Sequence, residues 1–495
     1  MTSRTTADSP LLHPRELFVD GQWVAPSRDD VIEVIDSNDE SIYLTVAAAG
    51  KDDVARAVTA ARTAFDEGPW PRMTHARRAE YVRRLADGLR SRAALLADAW
   101  PRESGALYSV AQGTGEFYAG VLDFYADVAS DFAWEEQAPT TPGAGFSMIV
   151  REPVGVVGAI VPWNSPLGLA IHKIAPALLS GCTIVLKAAP EAPTMVYILA
   201  ECAEDIGLPA GVLNVVTADR EASESLVTDP RVDKIAFTGS TVAGRRIASL
   251  MGQRIGRVTL ELGGKSPAVI LDDADLGQAA SAIAQAECHL TGQSCASLTR
   301  LIVTRARHDH FVEALSAAFS AKKVGNAFDP ASQMGPLVSA RQRDRVLGYI
   351  NQGVDSGARL VVGGGRPAAL DRGYFIEPTV LAEVDNSSVV AQDEIFGPVL
   401  TVLPARDEAD AIRIANDTIY GLNASVFTPD VDRARHVARQ LRSGTVGHND
   451  FRLDARIAFG GFKQSGLGRE GGREGFRPYL ETKVVILDAP PEGYR

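Results

Sequence analysis

The amino-acid sequence predicts a multi-domain α/β protein, and two observations carry that prediction. Its 495 residues exceed what one hydrophobic core organises. Short β-branched runs alternate with helical patterns in two successive blocks, from 154 to 264 and on to about 450. Such alternation is the signature of parallel sheets with crossover helices. Two α/β domains with a cleft between them follow.

Taken in order, "ARRAEYVRRLADGLRSR" (76–92) sets arginines at helical spacing among apolar positions, which predicts a helix with a solvated face. Residues 132–153 hold two short β-like runs around Pro142-Gly143, which predict a hairpin. A lone hairpin is marginal, so it needs another element or subunit to pair with. The first alternating block includes "VGVVGAIVPW", "TIVLK", "VLNVVT", "KIAFTGS" and "VTLELGG". Ligands of parallel sheets sit at the carboxyl ends of the strands, which singles out Asn164, Lys187, Ser240 and Glu261. "PAVILDD", a long helical pattern through Cys288, "RLIVTRA", "RLVVGG" and "GPVLTVLPA" belong to the second block.

Composition excludes several classes of function. Apolar residues at 45% and charged residues at 23% are ordinary soluble values. A net charge of −12 with pI near 5.3 opposes nucleic-acid binding, which demands clustered Lys and Arg. The longest apolar run is about half a membrane span, and no basic, then apolar, leader opens the chain. Neither membrane insertion nor export is expected. Cys182, Cys202, Cys288 and Cys295 lack paired metal or disulfide spacing and read as reduced thiols of a cytoplasmic protein. "HDH" (308–310) reads as a solvated helix terminus, so no metal is expected. "GLGREG" (466–471) matches GxGxxG without a leading strand, and "GGKS" follows Thr259 where a P-loop needs glycine.

Three stretches carry chemistry. In "HLTGQSCASLTR" (289–300) Cys295 is flanked by small and polar residues, whereas a filler cysteine is wrapped in apolar ones. A flexible, exposed turn with a reactive thiol is one reading; a small residue before a strand is the other. "FTGSTVAG" runs a strand into Gly239 and Ser240 before a helix, either a phosphate cradle or an ordinary capped turn. Glu261 ends an apolar strand before Gly263-Gly264, as a structural acid or a poised base.

"VPWNSP", "FTGS", "LELGGKSP", "GQSC", "EIFGPVL" and "FGGFKQSGLGRE" together resemble the NAD(P)-dependent aldehyde dehydrogenase superfamily, in order and spacing, across nearly the whole chain. The resemblance implies a Rossmann-type cofactor domain (1–131 and 154–260), an α/β catalytic domain (261–477) and a β-hairpin oligomerisation element (132–153 and 478–495). It implies a homodimer or homotetramer. Cys295 would be the nucleophile, Asn164 an oxyanion donor and Glu261 the base that activates water. Trp163, Lys187, Gly239, Ser240, Gly263, Glu394 and Phe396 would bind NAD, with NADP possible because Pro190 replaces a frequent glutamate and the acid follows at Glu191. An aldehyde would pass Ser165, His172 and His289, which stand where well-known members carry aromatics. Asp450, Arg452 and Arg456 are expected near the tunnel mouth. A CoA-acylating semialdehyde dehydrogenase, which generally lacks the glutamate, and a silent structural or binding member, which would lose Cys295, Glu261 or Asn164, are the alternatives. A thiol hydrolase using Cys295 with His289 leaves the nucleotide motifs unexplained.

Overall fold

A computed structural model describes residues 9–141 and 145–492. Five parallel strands form the centre of its first sheet, in spatial order Leu213–Thr217, Thr183–Ala188, Val156–Ile160, Lys234–Thr238 and Arg257–Glu261. The chain enters in the middle, builds outward on one side, then crosses to the other. The order therefore reverses between Val156–Ile160 and Lys234–Thr238, and in sheets of this kind ligands bind in the crevice beyond the carboxyl ends at that point. Helices such as Pro166–Ser180 cover the sheet, so four of the five strands are buried along their whole length; only Arg257–Glu261 emerges, at its start. That double covering explains runs that are apolar throughout rather than alternating. Antiparallel strands flank this core: Leu17–Val19 with Gln22–Val24 on one side, and Gly466–Leu467 on the other.

The second sheet runs Arg359–Val362, Thr379–Ala382, Val399–Ala405, Arg300–Thr304, Pro267–Ile270, Ser425–Phe427 and Gly447–His448, with one antiparallel pair at its edge. The chain passes between the sheets at 262–266 and returns at 466. Hydrogen bonds staple these crossings: Leu262 N–H donates to Ser465 O (2.8 Å), and Ser465 Oγ donates to Gly263 O (2.7 Å). Residues from both sheets thus meet at one junction.

The expected hairpin is present as Glu135–Ala138 and Phe146–Pro153, and Leu480–Leu487 adds a third antiparallel strand. Its Pro142-Gly143 turn lies outside the described residues. Two polar readings need amendment. The arginine-rich helix, His75–Ser91, has a mostly solvated face, yet Arg78 is buried, donating to the Met73 carbonyl before its own helix and to the Leu179 carbonyl near the end of Pro166–Ser180. His308 is likewise buried, although Asp309 and His310 are exposed. No metal-holding group of His, Cys, Asp and Glu occurs among the described residues. Nor is any described helix long and apolar enough to cross a membrane.

Candidate active site

The cofactor side of the junction is set mainly by backbone. Ser240 caps the helix Thr241–Gly252, its Oγ accepting the Ala243 N–H (3.3 Å), which leaves other first-turn N–H groups without an intrahelical partner beside the reversal point. Side chains are excluded nearby. A Cβ at Gly239 would lie 2.5 Å from the Phe237 ring, and one at Gly263 would lie 2.4 Å from Glu394 Oε2. Glu394 accepts the Gly264 N–H through Oε1 (3.2 Å), and burial pushes its carboxyl up to about 7. Phe396 meets Trp163 edge-on at 5.3 Å.

Lys187, one residue from the end of its strand, is buried, and its Nζ forms no hydrogen bond or ion pair with any described residue. Burial pushes it down to about 8, against the pull of Glu191 and Asp219. A buried amine without a partner at a strand's carboxyl end suits ribose hydroxyls, and with the glycine cradle it makes the crevice fit a dinucleotide. Glu191 itself pairs with Arg341 at 3.1 Å, reaching the helix Ala340–Asp355.

On the opposite side lies Cys295. The turn around it is packed rather than exposed, contrary to expectation: Gly292, Gln293 and Ser297 are buried and Cys295 is half-buried. Its polar residues are satisfied internally, which is why a polar sequence makes a packed wall. Gln293 donates to Ser104 O and Leu290 O and accepts the Val338 N–H. Thr291 and Gly292 have φ of +55° and +68°, a bend that turns the segment back on itself. Burial, with Glu394 and Glu261 nearby, pushes the thiol up to about 12. That shift favours the neutral thiol at Cys295.

Asn164 is held against this turn. Its Nδ2 donates to Gln293 O (2.9 Å), leaving the second amide hydrogen free, while Trp100 Nε1 donates to Asn164 O (2.8 Å). Glu261 is 3% exposed, and neither carboxylate oxygen has a hydrogen-bond partner. Burial first, then the charge of Glu470, holds its pKa well above the usual carboxylate range; Lys173 and Arg469 oppose that.

Glu470 and Lys173 are the residues that sequence reasoning missed. Lys173 Nζ lies 2.8 Å from Glu470 Oε1 and donates to Thr238 Oγ1 (2.5 Å), with both charged side chains buried. The available signal was a lysine inside the apolar helix "LGLAIHKIAPALL". Glu470 sits within "GLGREG", where the glycine spacing is the more conspicuous pattern.

Outward from Cys295 opens a cavity of about 920 Å³. Its depth includes Asn164, Cys295 and Ser297; Phe117, Gln278, Leu453 and Ile457 are exposed at its mouth. Ser165, His172 and His289 line it as expected. The first two are paired, though: Tyr118 OH lies 3.0 Å from Ser165 Oγ, and Tyr125 OH lies 3.1 Å from His172 Nδ1. Asp450 also lines it, whereas Arg452 and Arg456 do not. Arg452 donates to His448 O, and the Arg456 guanidinium lies over the Phe124 ring.

Comparison with known proteins identifies the family. The aldehyde dehydrogenase family profile matches residues 23–485. The geranial dehydrogenase of Castellaniella defragrans is 43% identical, over 96% of this chain and 98% of its own length. A 3-succinoylsemialdehyde-pyridine dehydrogenase of Pseudomonas sp. is 41% identical, over 95% and 98%. The crystal structure of a Mycobacterium tuberculosis aldehyde dehydrogenase complexed with NAD+ superposes with a TM-score of 0.93 at 44% identity, covering 97% of this chain and 99% of that one. With its motifs, its two sheets and the Cys295–Asn164–Glu261 junction, the chain belongs to the aldehyde dehydrogenase family.

Proposed function

We propose that Cys295, Asn164 and Glu261 carry the NAD-dependent oxidation of an aldehyde to a carboxylic acid. The observation that supports this best is that Asn164 and Cys295, from separate segments, line the inner part of one cavity, with the buried Glu261 near enough for its charge to help raise the Cys295 thiol. When bound, NAD+ supplies the hydride acceptor.

Cys295 Sγ attacks the aldehyde carbon, and its proton must leave because the resting thiol is neutral. Glu261, raised by burial, is basic enough to take part in that removal. The oxyanion of the thiohemiacetal is held by the free Asn164 amide hydrogen and the Cys295 backbone N–H. Losing one such donor costs about 3 kcal/mol of barrier stabilisation. After hydride departure a thioester remains on Cys295. Glu261 then accepts a proton from the water that attacks the thioester, which releases the acid. Nothing in this sequence needs CoA, and Glu261 disfavours the acylating alternative.

Trp163, Lys187, Gly239, Ser240, Gly263, Glu394 and Phe396 would form the cofactor crevice, with Lys187 toward the adenine ribose and Glu394 toward the nicotinamide ribose. We assign the cofactor domain to 1–131 and 154–260, the catalytic domain to 261–477, and assembly as a homodimer or homotetramer to 132–153 and 478–495. The exposed Val484 and Ile486 on the small sheet support that surface. The four free cysteines support a cytoplasmic location. Replacing the nucleophile is the test: Cys295→Ala is expected to abolish NADH production while leaving NAD+ affinity nearly intact. Retained turnover would exclude the covalent route.

A further inference from the structure

We propose that the cavity discriminates by charge, accepting uncharged aldehydes with long apolar bodies and rejecting those with a distal carboxylate, through Asp450 and Asp454 near its mouth. The proposal rests on the aldehyde-oxidising reading of the site and goes beyond it to the class of substrate.

The first support is the charge inventory of the wall. Among the described residues that line the cavity there is no lysine or arginine, while Glu287, Asp450, Asp454 and Glu470 are acids. Both lining imidazoles, His172 and His289, are pushed down by desolvation, so neither is a ready cation at neutral pH. Of the acids, only Glu470 has a cationic partner, and that partner, Lys173, is fully buried.

The second support is where the mouth acids point their hydrogen bonds. Asp450 Oδ1 accepts the Phe451 N–H (2.8 Å), and Asp454 Oδ1 accepts the Arg456 N–H (2.8 Å). Neither forms an ion pair. Each retains an oxygen outside those bonds, and the two arginines of the same loop are directed to His448 O and the Phe124 ring instead. An aldehyde seated with its carbonyl at Cys295 extends its far end toward this loop. A carboxylate there would meet two acids that form no ion pair, in a wall lined by no lysine or arginine, whereas Trp100, Leu169, Phe451 and Phe459 reward an apolar body by burial.

The experiment measures kcat/KM with NAD+ for octanal, 8-oxooctanoate and methyl 8-oxooctanoate on the full chain. The ester separates charge from length. The ester is expected to exceed the anion by about tenfold or more at low salt, with a smaller ratio at high salt where exposed charges are screened. The ratio is also expected to contract in the double variant Asp450→Asn, Asp454→Asn, in which asparagine keeps the capping oxygens. An anion used as efficiently as its ester would overturn the proposal. So would a ratio unmoved by both salt and the double variant. If all three compounds and a wider panel of uncharged aldehydes are inert, the reading of the site fails, and this proposal with it.

Discussion

The two sides of Cys295 are built differently. On the cofactor side, position is set by backbone: strand ends, a helix cap at Ser240, and glycines whose replacement would strike Phe237 or Glu394. On the substrate side it is set by side chains that bond to each other, Tyr118 with Ser165 and Tyr125 with His172. Backbone cradles require particular residue types at particular spacings, because only glycine or a capping residue is tolerated there. Side-chain walls are degenerate, since many pairs fill the same volume. The comparison predicts that cofactor binding is robust to changes in the wall, and that wall groups already paired with each other contribute little to substrate preference.

Glu261 lies where the two sides meet and should give the largest effect after loss of Cys295 itself. Its amide analogue cannot accept a proton. In Glu261→Gln, hydride transfer is expected to yield a first equivalent of NADH, followed by a steady rate lower by roughly 10²- to 10⁴-fold. Rapid-mixing absorbance at the NADH band would read both phases. In the unmodified enzyme, the deacylation rate should rise with pH through a value well above the ordinary glutamate range, because the carboxylate is the active form and burial raises its pKa. A profile flat down to pH 4.5, or the burst-and-stall behaviour moving to His289→Ala, would break the assignment.

A smaller effect is expected on the cofactor side. Glu191, one position beyond Pro190, keeps negative charge near Lys187, which disfavours a 2′-phosphate; its ion pair with Arg341 partly offsets that charge. A preference for NAD over NADP of about ten- to a hundredfold in kcat/KM follows, or about 1.4 to 2.7 kcal/mol. Arg341→Ala should widen it. A preference for NADP, or one that narrows in that variant, would remove Glu191 as the discriminating group.

These effects follow what was legible in the sequence. The parallel sheets could be read because strands covered on both faces are apolar throughout, as in "VGVVGAI" and "TIVLK". Cys295, Glu261 and Asn164 stand out in the sequence because each sits at a strand end or turn within a motif that resembles the family's, and their roles are the ones proposed above. The packing of the Cys295 turn could not be read, because Gln293 and Ser297 look solvated until their internal partners are known. Glu470 and Lys173 escaped for a related reason: their pairing joins residues about 300 positions apart in the chain. No local pattern announces such a contact.

The smallest predicted effect concerns Ser165, and it separates the two sides most cleanly. Had its hydroxyl been free, an apolar aldehyde would have left it unpaired at a cost of roughly 1 to 3 kcal/mol, and hydroxylated substrates would be favoured. In the folded chain Tyr118 already satisfies it at 3.0 Å. Ser165→Ala should therefore change the ratio of kcat/KM between a plain and a hydroxylated aldehyde of equal length by less than about threefold, under 0.7 kcal/mol. The value for NAD+ should not move, because Ser165 belongs to the wall rather than the cradle. The same reasoning applies to His172→Phe, with one difference. It strands Tyr125 OH, which also accepts the Gly471 N–H (3.1 Å), so some loss of thermal stability should accompany an unchanged preference between the two aldehydes. A large shift toward the plain aldehyde in either variant would mean that the pairs open when substrate enters. The wall would then read hydroxyl groups directly, and the contrast between a backbone-set side and a self-paired side would fail.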